Sequence, residues 1–435
     1  DCVAGFICHQ DYCLKLPARC NLDGVVQLGE ECDDGNTIDG DGCSNQCLFA
    51  RCGDGVVRLD LSSGELGNEN CEPGVEPTID YCSDGCLMGE PLRTIATSER
   101  LSCAVTQGVV RCWGGHDAGG GITPLGPFEV AIEASPIDLP ILYSNTQSNT
   151  FLLYHRDARG LLRADGFRGS VSPVTPTPNV NRIIGHNALS ADGFRPDLAA
   201  CYVTSSGLVA CRGSNHCGQV KPVRSGLQPL PEPAILLHPM IVRGLQAVRA
   251  LAMSGGTTCA ALEDGSVSCW GSITNWDPLV EDCVELRPVT PIEGVEGIVA
   301  LTAHRFGYTG VTAESVTYSW GRDWEGEPLV EPVRRVLPET AVQLGASDDT
   351  ECVLFESGRV GCWGASRGEG NRAGNTLRML EGLEEVVEIS DGRNTKHLCA
   401  RRSDDEIWCW GNNTYGQLGD GSRDSSAAPV RVRGL

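Results

Sequence analysis

Lysine is nearly absent from this chain. Only Lys15, Lys221 and Lys396 occur in 435 residues, and Lys plus Arg total 34 against 57 Asp plus Glu, a formal charge of −23 at pH 7. Residues 1–90 carry −14 of that charge and the remainder −9. Nucleic-acid binding draws on clustered Lys and Arg that neutralise phosphates, and neither part offers such a cluster. Nucleic acid is therefore not an expected partner. No run of 18 apolar residues occurs, which excludes a membrane-spanning helix. No signal segment is found, and the chain starts at Asp1 rather than Met, as expected of a mature or truncated product.

Catalytic signatures are equally scarce. HExxH, paired C-x2-C, GxGxxG, GxxxxGK[ST] and GxSxG are all missing. His9, His116, His155, His186, His216, His238, His304 and His397 are scattered, with no two at metal-ligand spacing. His216 and Cys217 are adjacent, but neighbours on a strand point to opposite faces, so they make a poor catalytic pair. Asp348-Asp349 and Asp404-Asp405 lie in or beside turns and read as solvated carboxylates. The expectation is a protein that is not an enzyme and holds no catalytic cofactor.

Cysteine, by contrast, is abundant: 23 residues, 11 of them before residue 90. That density marks a disulfide scaffold and an oxidising compartment. Two units share a plan, Cys20-x11-Cys32-x10-Cys43-x3-Cys47 and Cys52-x18-Cys71-x10-Cys82-x3-Cys86. Each allows two bridges in three connectivities. Cys2, Cys8 and Cys13 are left as an odd set, so residues 1–19 are expected to be part of a further module, or to hold one free thiol. The chain divides into residues 1–19, 20–51, 52–90 and 91–435. Within the first unit, Asp33, Asp34, Asn36, Asp39 and Asp41 offer oxygen ligands at short spacing among glycines. That suits Ca²⁺, the alternative being solvated turn residues.

Residues 91–435 repeat. A C-x-G end to a hairpin strand recurs as Cys112-Trp113-Gly114, Cys211-Arg212-Gly213, Cys269-Trp270-Gly271, Cys362-Trp363-Gly364 and Cys409-Trp410-Gly411. Degenerate copies are Ala164-Asp165-Gly166 and Ser319-Trp320-Gly321. The seven anchor glycines are spaced 52, 47, 58, 50, 43 and 47 residues apart, which fits one four-stranded sheet per copy. β-prone runs such as Val248–Ala252, Ile298–Ala303 and Val386–Ile389 precede the hairpins.

Cys103/Cys112, Cys201/Cys211, Cys259/Cys269, Cys352/Cys362 and Cys399/Cys409 sit nine or ten residues apart across the hairpin turns. Opposed residues on antiparallel strands lie within disulfide reach. The two copies without the pattern, Gly310/Ser319 and residues 150–166, lack both partners, as bonded pairs predict and independent buried thiols do not. Cys217 and Cys283 remain and are expected to pair with each other. The connections 115–136 and 214–240 are rich in Gly and Pro, either partner-binding loops or tolerated insertions.

CWGNNTYGQLGDG followed by PVRVRGL, at the end of the chain, resembles the repeats of the regulator of chromosome condensation family. GEECDDGNTIDGDGCSNQC, residues 29–47, resembles the cysteine-rich repeat of secreted myxobacterial proteins. The first resemblance implies an all-β fold: a seven-bladed β-propeller, here preceded by a small disulfide-rich, loop-dominated region. It also implies ring closure by pairing segments near 91–97 and 429–432. Anchor tryptophans then pack between blades, while Trp276, Trp324 and Tyr415 fall in loops of one end and are candidate partner contacts. The expected function is a secreted or cell-surface bacterial binding protein, a monomer that recognises a protein or a surface glycan. The alternatives are a chromatin or guanine-nucleotide-exchange regulator, as in the family's founder, and an extracellular propeller hydrolase. The first would need a reducing compartment, and the second an acid/base constellation at the propeller axis.

Overall fold

Cys and Trp stand side by side in the anchors, and strand neighbours point to opposite faces. Each hairpin thus offers a cysteine pair to one side and an indole to the other, which suits sheets stacked face to face in sequence. A computed structural model places the chain in two compact units, Asp1–Gly89 and Glu90–Leu435. It describes residues 6–9, 12–15, 33, 35–36, 43, 81–82 and 88–89 of the first. Of the second it describes 94–106, 109–117, 122–130, 136–145, 150–157, 162–167, 180–188, 197–204, 208–215, 217–222, 235–245, 247–254, 256–272, 286–304, 307–321, 329, 331–364, 376–392 and 395–435.

In the first unit, Phe6–His9 pairs antiparallel with Tyr12–Lys15, and Tyr81–Cys82 with Met88–Gly89. Cys43 is buried and disulfide-bonded. Most of the two cysteine-rich repeats lies outside the described residues.

The second unit forms seven antiparallel sheets in chain order, six of four strands and one of three among the described residues. The first runs Ile95–Thr97, Leu101–Thr106, Val109–Asp117, Ile122–Val130. The second is the three-stranded one, Pro136–Asn145, Thr150–Asp157, Leu162–Phe167. The third is Val180–Ala188, Asp197–Thr204, Val209–Ser214, Ile235–Ile241, and the fourth Val248–Ser254, Thr257–Leu262, Val267–Ser272, Leu286–Pro291. The fifth is Ile298–Ala303, Gly307–Thr312, Val316–Gly321, Val333–Val336, and the sixth Ala341–Ala346, Thr350–Phe355, Val360–Gly364, Arg378–Met379. The seventh is Val386–Ile389, His397–Arg402, Ile407–Gly411, Ser426–Arg431. First strands of successive sheets lie against one another round the ring, and the seventh sheet returns to the first strand of the first. The Gly- and Pro-rich connections 115–136 and 214–240 therefore contain the fourth strands of the first and third sheets.

Every anchor glycine takes the same place in its hairpin: Gly271 opposite Thr257, Gly411 opposite His397, Gly166 opposite Leu152. Gly114, Gly271 and Gly411 have φ of 124°, 100° and 110°. A Cβ there would collide with the carbonyl oxygens of Arg100, Gly256 and Lys396, so only glycine fits. Cys103–Cys112, Cys201–Cys211, Cys259–Cys269, Cys352–Cys362 and Cys399–Cys409 are bonded across the strands, with Cα atoms 4.0 or 4.1 Å apart.

In the fifth sheet the residue facing Ser319 is Thr309, not Gly310. Counting back nine residues is one short here, because the hairpin keeps the ten-residue spacing of its neighbours. A hydrogen bond of 2.8 Å between the Thr309 and Ser319 hydroxyls stands where the other copies have a disulfide.

The apolar layers follow the Cys/Trp alternation. Cys201 and Cys211 of the third sheet share a buried layer with Trp270 of the fourth. Cys259 and Cys269 share one with Trp320 of the fifth, and Cys399 and Cys409 with Trp113 of the first.

Ring closure differs from expectation. Ile95–Thr97 pairs with Leu101–Thr106 of its own sheet, and Ser426–Arg431 pairs with Ile407–Gly411. The last copy supplies all four of its strands, so no first-blade segment is needed to complete it. Side chains close the ring instead. Glu388, 4% exposed, accepts from the Thr94 amide (2.6 Å), the Thr94 hydroxyl (2.5 Å) and the Ile95 amide (3.0 Å).

Candidate functional site

A four-stranded meander sends its first and third connections to one end of the ring and its second turn and exit linker to the other. Backbone bonds tie turns to linkers at that second, turn end: Glu263 N to Ala247 O (2.8 Å), Ile298 N to Gly265 O (3.0 Å), Val386 N to Gly358 O (3.0 Å) and Ser403 N to Glu385 O (2.9 Å).

Two of the described loops at the loop end are bonded within themselves and to the next sheet. Asn413 Oδ1 accepts from Leu418 N at 2.9 Å, and Tyr415 N donates to Gln417 Oε1 at 2.8 Å. The Gln417 carbonyl then accepts from Ser102 Oγ (2.9 Å) and Trp113 Nε1 (3.0 Å) of the first sheet. Asn215 and Gln219 repeat the device: Gln219 O receives Thr258 Oγ1 (2.9 Å) and Trp270 Nε1 (2.8 Å) of the fourth sheet. The loop of one copy thus caps the tryptophan of the next. Tyr415 is half-buried, with the Arg100 guanidinium 4.4 Å above its ring. Trp276 and Trp324 lie outside the described residues.

Among the described residues, the turn end is acidic from the fourth sheet to the seventh. Exposed Glu293, Glu296, Glu314, Glu356, Glu381 and Glu384 sit in its turns and linkers and make no ion pair among the described residues. Its cations are partly spent: Arg359 on Glu339, Arg402 on Glu385 (3.2 Å), Arg431 on Glu406 (2.8 Å). Val336 and Val387 are exposed at the same end, by 63% and 54%. A cleft of about 610 Å³ between the seventh and first sheets opens there, lined in part by Arg111, Asp404, Asp405, Glu406 and Arg433.

Among the described residues, two clusters of histidine with a hydroxyl or carboxyl group lie inside the fold. Ser102 Oγ is 2.7 Å from His397 Nε2, but Ser102 and His397 are at most 1% exposed, so no substrate reaches them. Glu351, 1% exposed, accepts from Trp363 Nε1 at 2.5 Å and lies 3.8 Å from His304 Nε2. Burial pushes Glu351 up to about 7, opposed by bonds from Thr309 and Trp363 and the charge of Arg335, and reinforced by Asp391. Burial also lowers His304 and His397 to about 3. Nothing local in the sequence brings Ser102 to His397 or His304 to Glu351, because each pair joins neighbouring copies.

Cys217 is disulfide-bonded, so it supplies no thiolate beside His216, and its expected partner Cys283 lies outside the described residues. In the acidic loop, Asp33 is buried and its Oδ1 accepts from Gly35 N at 2.9 Å. Asp34, Asp39 and Asp41 lie outside the described residues, and no group of three metal-ligating side chains forms among those described. No helix among the described residues is long and apolar enough to cross a membrane.

Residues 404–435 match the model of the regulator of chromosome condensation (RCC1) repeat. The human E3 ubiquitin-protein ligase HERC2 is 24% identical over 265 residues, 55% of this chain and 5% of that protein. The Arabidopsis thaliana ultraviolet-B receptor UVR8 is 27% identical over 219 residues, 46% of this chain and 49% of that one. The chain thus spans at most about half the length of these relatives. Among solved structures, Saccharomyces cerevisiae Prp20p, studied for its binding to Gsp1p and histones, superposes with a TM-score of 0.56 at 15% identity, over 78% of this chain and 88% of that one. Human WBSCR16 gives 0.52 at 15% identity, over 78% and 94%. The second unit is an RCC1-like repeat propeller.

Proposed function

We propose that this chain is an extracellular or cell-surface binding protein whose propeller holds a cationic protein partner against its turn end. The observation that carries this reading is the arc of exposed, unpaired carboxylates there, with Val336 and Val387 beside them. Complementary charge steers association and selects partners, while apolar contact adds affinity. The bonded cysteines support an oxidising compartment, and with it a secreted rather than a nuclear or cytosolic role. RCC1-like propellers of known proteins are interaction modules, Prp20p with Gsp1p and histones among them. Fold likeness alone transfers none of those partners. The Asp33–Asp41 loop as a calcium site belongs to the same proposal, as a stabilised tether rather than a binding face.

The test is binding of an arginine-rich peptide to the whole immobilised chain. Binding is expected at about 0.1 M salt and lost near 1 M, where the screening length shrinks from about 10 Å to about 3 Å. Glu293→Lys with Glu384→Lys should weaken it at least tenfold, and Tyr415→Ala should leave it unchanged. Unchanged binding by the charge-reversed variant sinks the turn-end reading; loss in Tyr415→Ala alone would move the partner to the loop end.

A further inference from the structure

Six of the seven junctions between neighbouring sheets are crossed by the chain itself. The seventh, between Val386–Ile389 with its hairpin and Ile95–Thr97 with its hairpin, is crossed by neither backbone nor a shared strand. It is held by the buried layer around Trp113, by the Glu388 bonds to Thr94 and Ile95, and by a short chain of polar groups. That chain fixes the state of His397. The Gln417 carbonyl only accepts, so Ser102 Oγ donates to it and must receive from His397 Nε2. The imidazole is therefore the neutral Nε2–H tautomer, with Nδ1 buried and unbonded. A proton on Nδ1 would place an unpaired donor and a full charge in a dry seam.

The groups packed about His397 give that charge no relief. Across the seam stands Ser102, itself bonded to the Gln417 carbonyl of the seventh copy's own loop. Thr395 Oγ1 is engaged on the His397 carbonyl at 2.8 Å. The carboxylates in and just after the strand paired beside it are engaged elsewhere: Glu388 by Thr94, Ile95 and Arg401 Nη2 (3.0 Å), and Asp391 by Thr302 Oγ1 (2.9 Å) and the Ala346 amide (3.1 Å). Lys396 next in the chain carries the same sign as a protonated ring.

His304, also deeply buried, is placed differently. It faces Glu351, and the pair holds one proton whether buried, as neutral acid and neutral imidazole, or exposed, as carboxylate and imidazolium. Between about pH 4.5 and 6.5 that pair exchanges no net proton on opening. His397 has no such partner, so opening the seam takes up one proton throughout that range.

We propose that the seam between the first and seventh sheets is an acid-operated joint, in which protonation of His397 opens the ring there while the junction carrying His304 and Glu351 stays shut. The sign is that of a group with a depressed folded-state affinity for protons. Closure is complete above the ordinary histidine range and is lost progressively as pH falls. A propeller opened at one junction loses the relative placement of its turns, so a partner held at neutral pH is released on acidification.

Hydrogen exchange of the whole chain, read by mass spectrometry and corrected for intrinsic rates, tests this. Between pH 6.5 and 4.5, amides of Leu101–Thr106 and His397–Arg402 should lose protection about tenfold per pH unit. Those of Gly307–Thr312 and Thr350–Phe355 should keep theirs. His397→Asn should flatten the seam profile. Equal loss in all sheets, an acid-stable seam, or an unchanged slope in His397→Asn each overturns the joint. If that variant does not fold, the comparison of the two junctions in the unaltered protein decides alone.

Discussion

The carboxylate of Glu388 accepts hydrogen bonds from both the amide and the hydroxyl of Thr94, a residue 294 positions earlier in the chain. With the Ile95 amide and Arg401 also on it, one side chain of the seventh sheet holds the start of the first. The propeller thereby closes without a shared strand, and this polar, buried contact stands beside the apolar layer around Trp113 and the Ser102–His397 bond.

Removing that carboxylate leaves the Thr94 and Ile95 amides without their acceptor and Arg401 with Asp405 alone, at 3.8 Å. Glu388→Ala should cost about 3–5 kcal/mol, the usual penalty for breaking a buried charged contact from one side. Glu388→Gln, which keeps one acceptor, should cost less. Denaturant midpoints measure both; a loss under about 0.5 kcal/mol in the alanine variant would show that the apolar layer alone closes the ring.

The register of the fifth hairpin predicts an engineered bond. Thr309→Cys with Ser319→Cys should form a sixth cross-strand disulfide and add about 2–3 kcal/mol, the chain-entropy value for a ten-residue loop. Gly310→Cys with Ser319→Cys should stay reduced, because position 310 faces Tyr318. Alkylation of the denatured, unreduced chain counts the thiols: none at the ten native hairpin cysteines, none in the first variant and two in the second.

Stability should depend on pH through three buried groups. His304 and His397, lowered to about 3, are neutral when folded and protonated when unfolded below about 6.5; each subtracts stability as pH falls through that window. Glu351, raised to about 7, is protonated when folded and ionised when unfolded above about 4.5, so it acts in the opposite sense and stability falls as pH rises. From pH 6.5 to 4.5 the net is one proton, a loss of about 1.4 kcal/mol per pH unit. Glu351→Gln leaves both histidines uncompensated and should double that slope. Urea unfolding across the range reads it directly; equal slopes would show that His304 and Glu351 do not act as a pair.

Much of the fold was legible in the chain. The C-W-G anchors marked one hairpin per sheet, because only glycine tolerates the positive φ and the crossing carbonyl behind it. The ten-residue cysteine spacing marked the opposed strand positions. The fifth copy was misread by one residue, since without cysteines nothing local distinguishes Thr309 from Gly310. Closure was misassigned as well, because the strands of the first and last copies read alike whether they pair with their own sheet or across the seam.

By itself, then, the sequence determined the acidic character through its composition, and the repeat, the hairpins and the five hairpin disulfides through residues within about fifty positions of one another. Only the tertiary structure decided what happens between copies: that Gln417 caps Trp113, that Glu388 holds Thr94, that Glu351 shelters His304, and that carboxylates from four sheets gather at one end. Those relationships join residues from different copies, some at opposite ends of the chain. Local propensity carries no record of them, and they arise when the ring brings the first and last copies together and dries the layers between them.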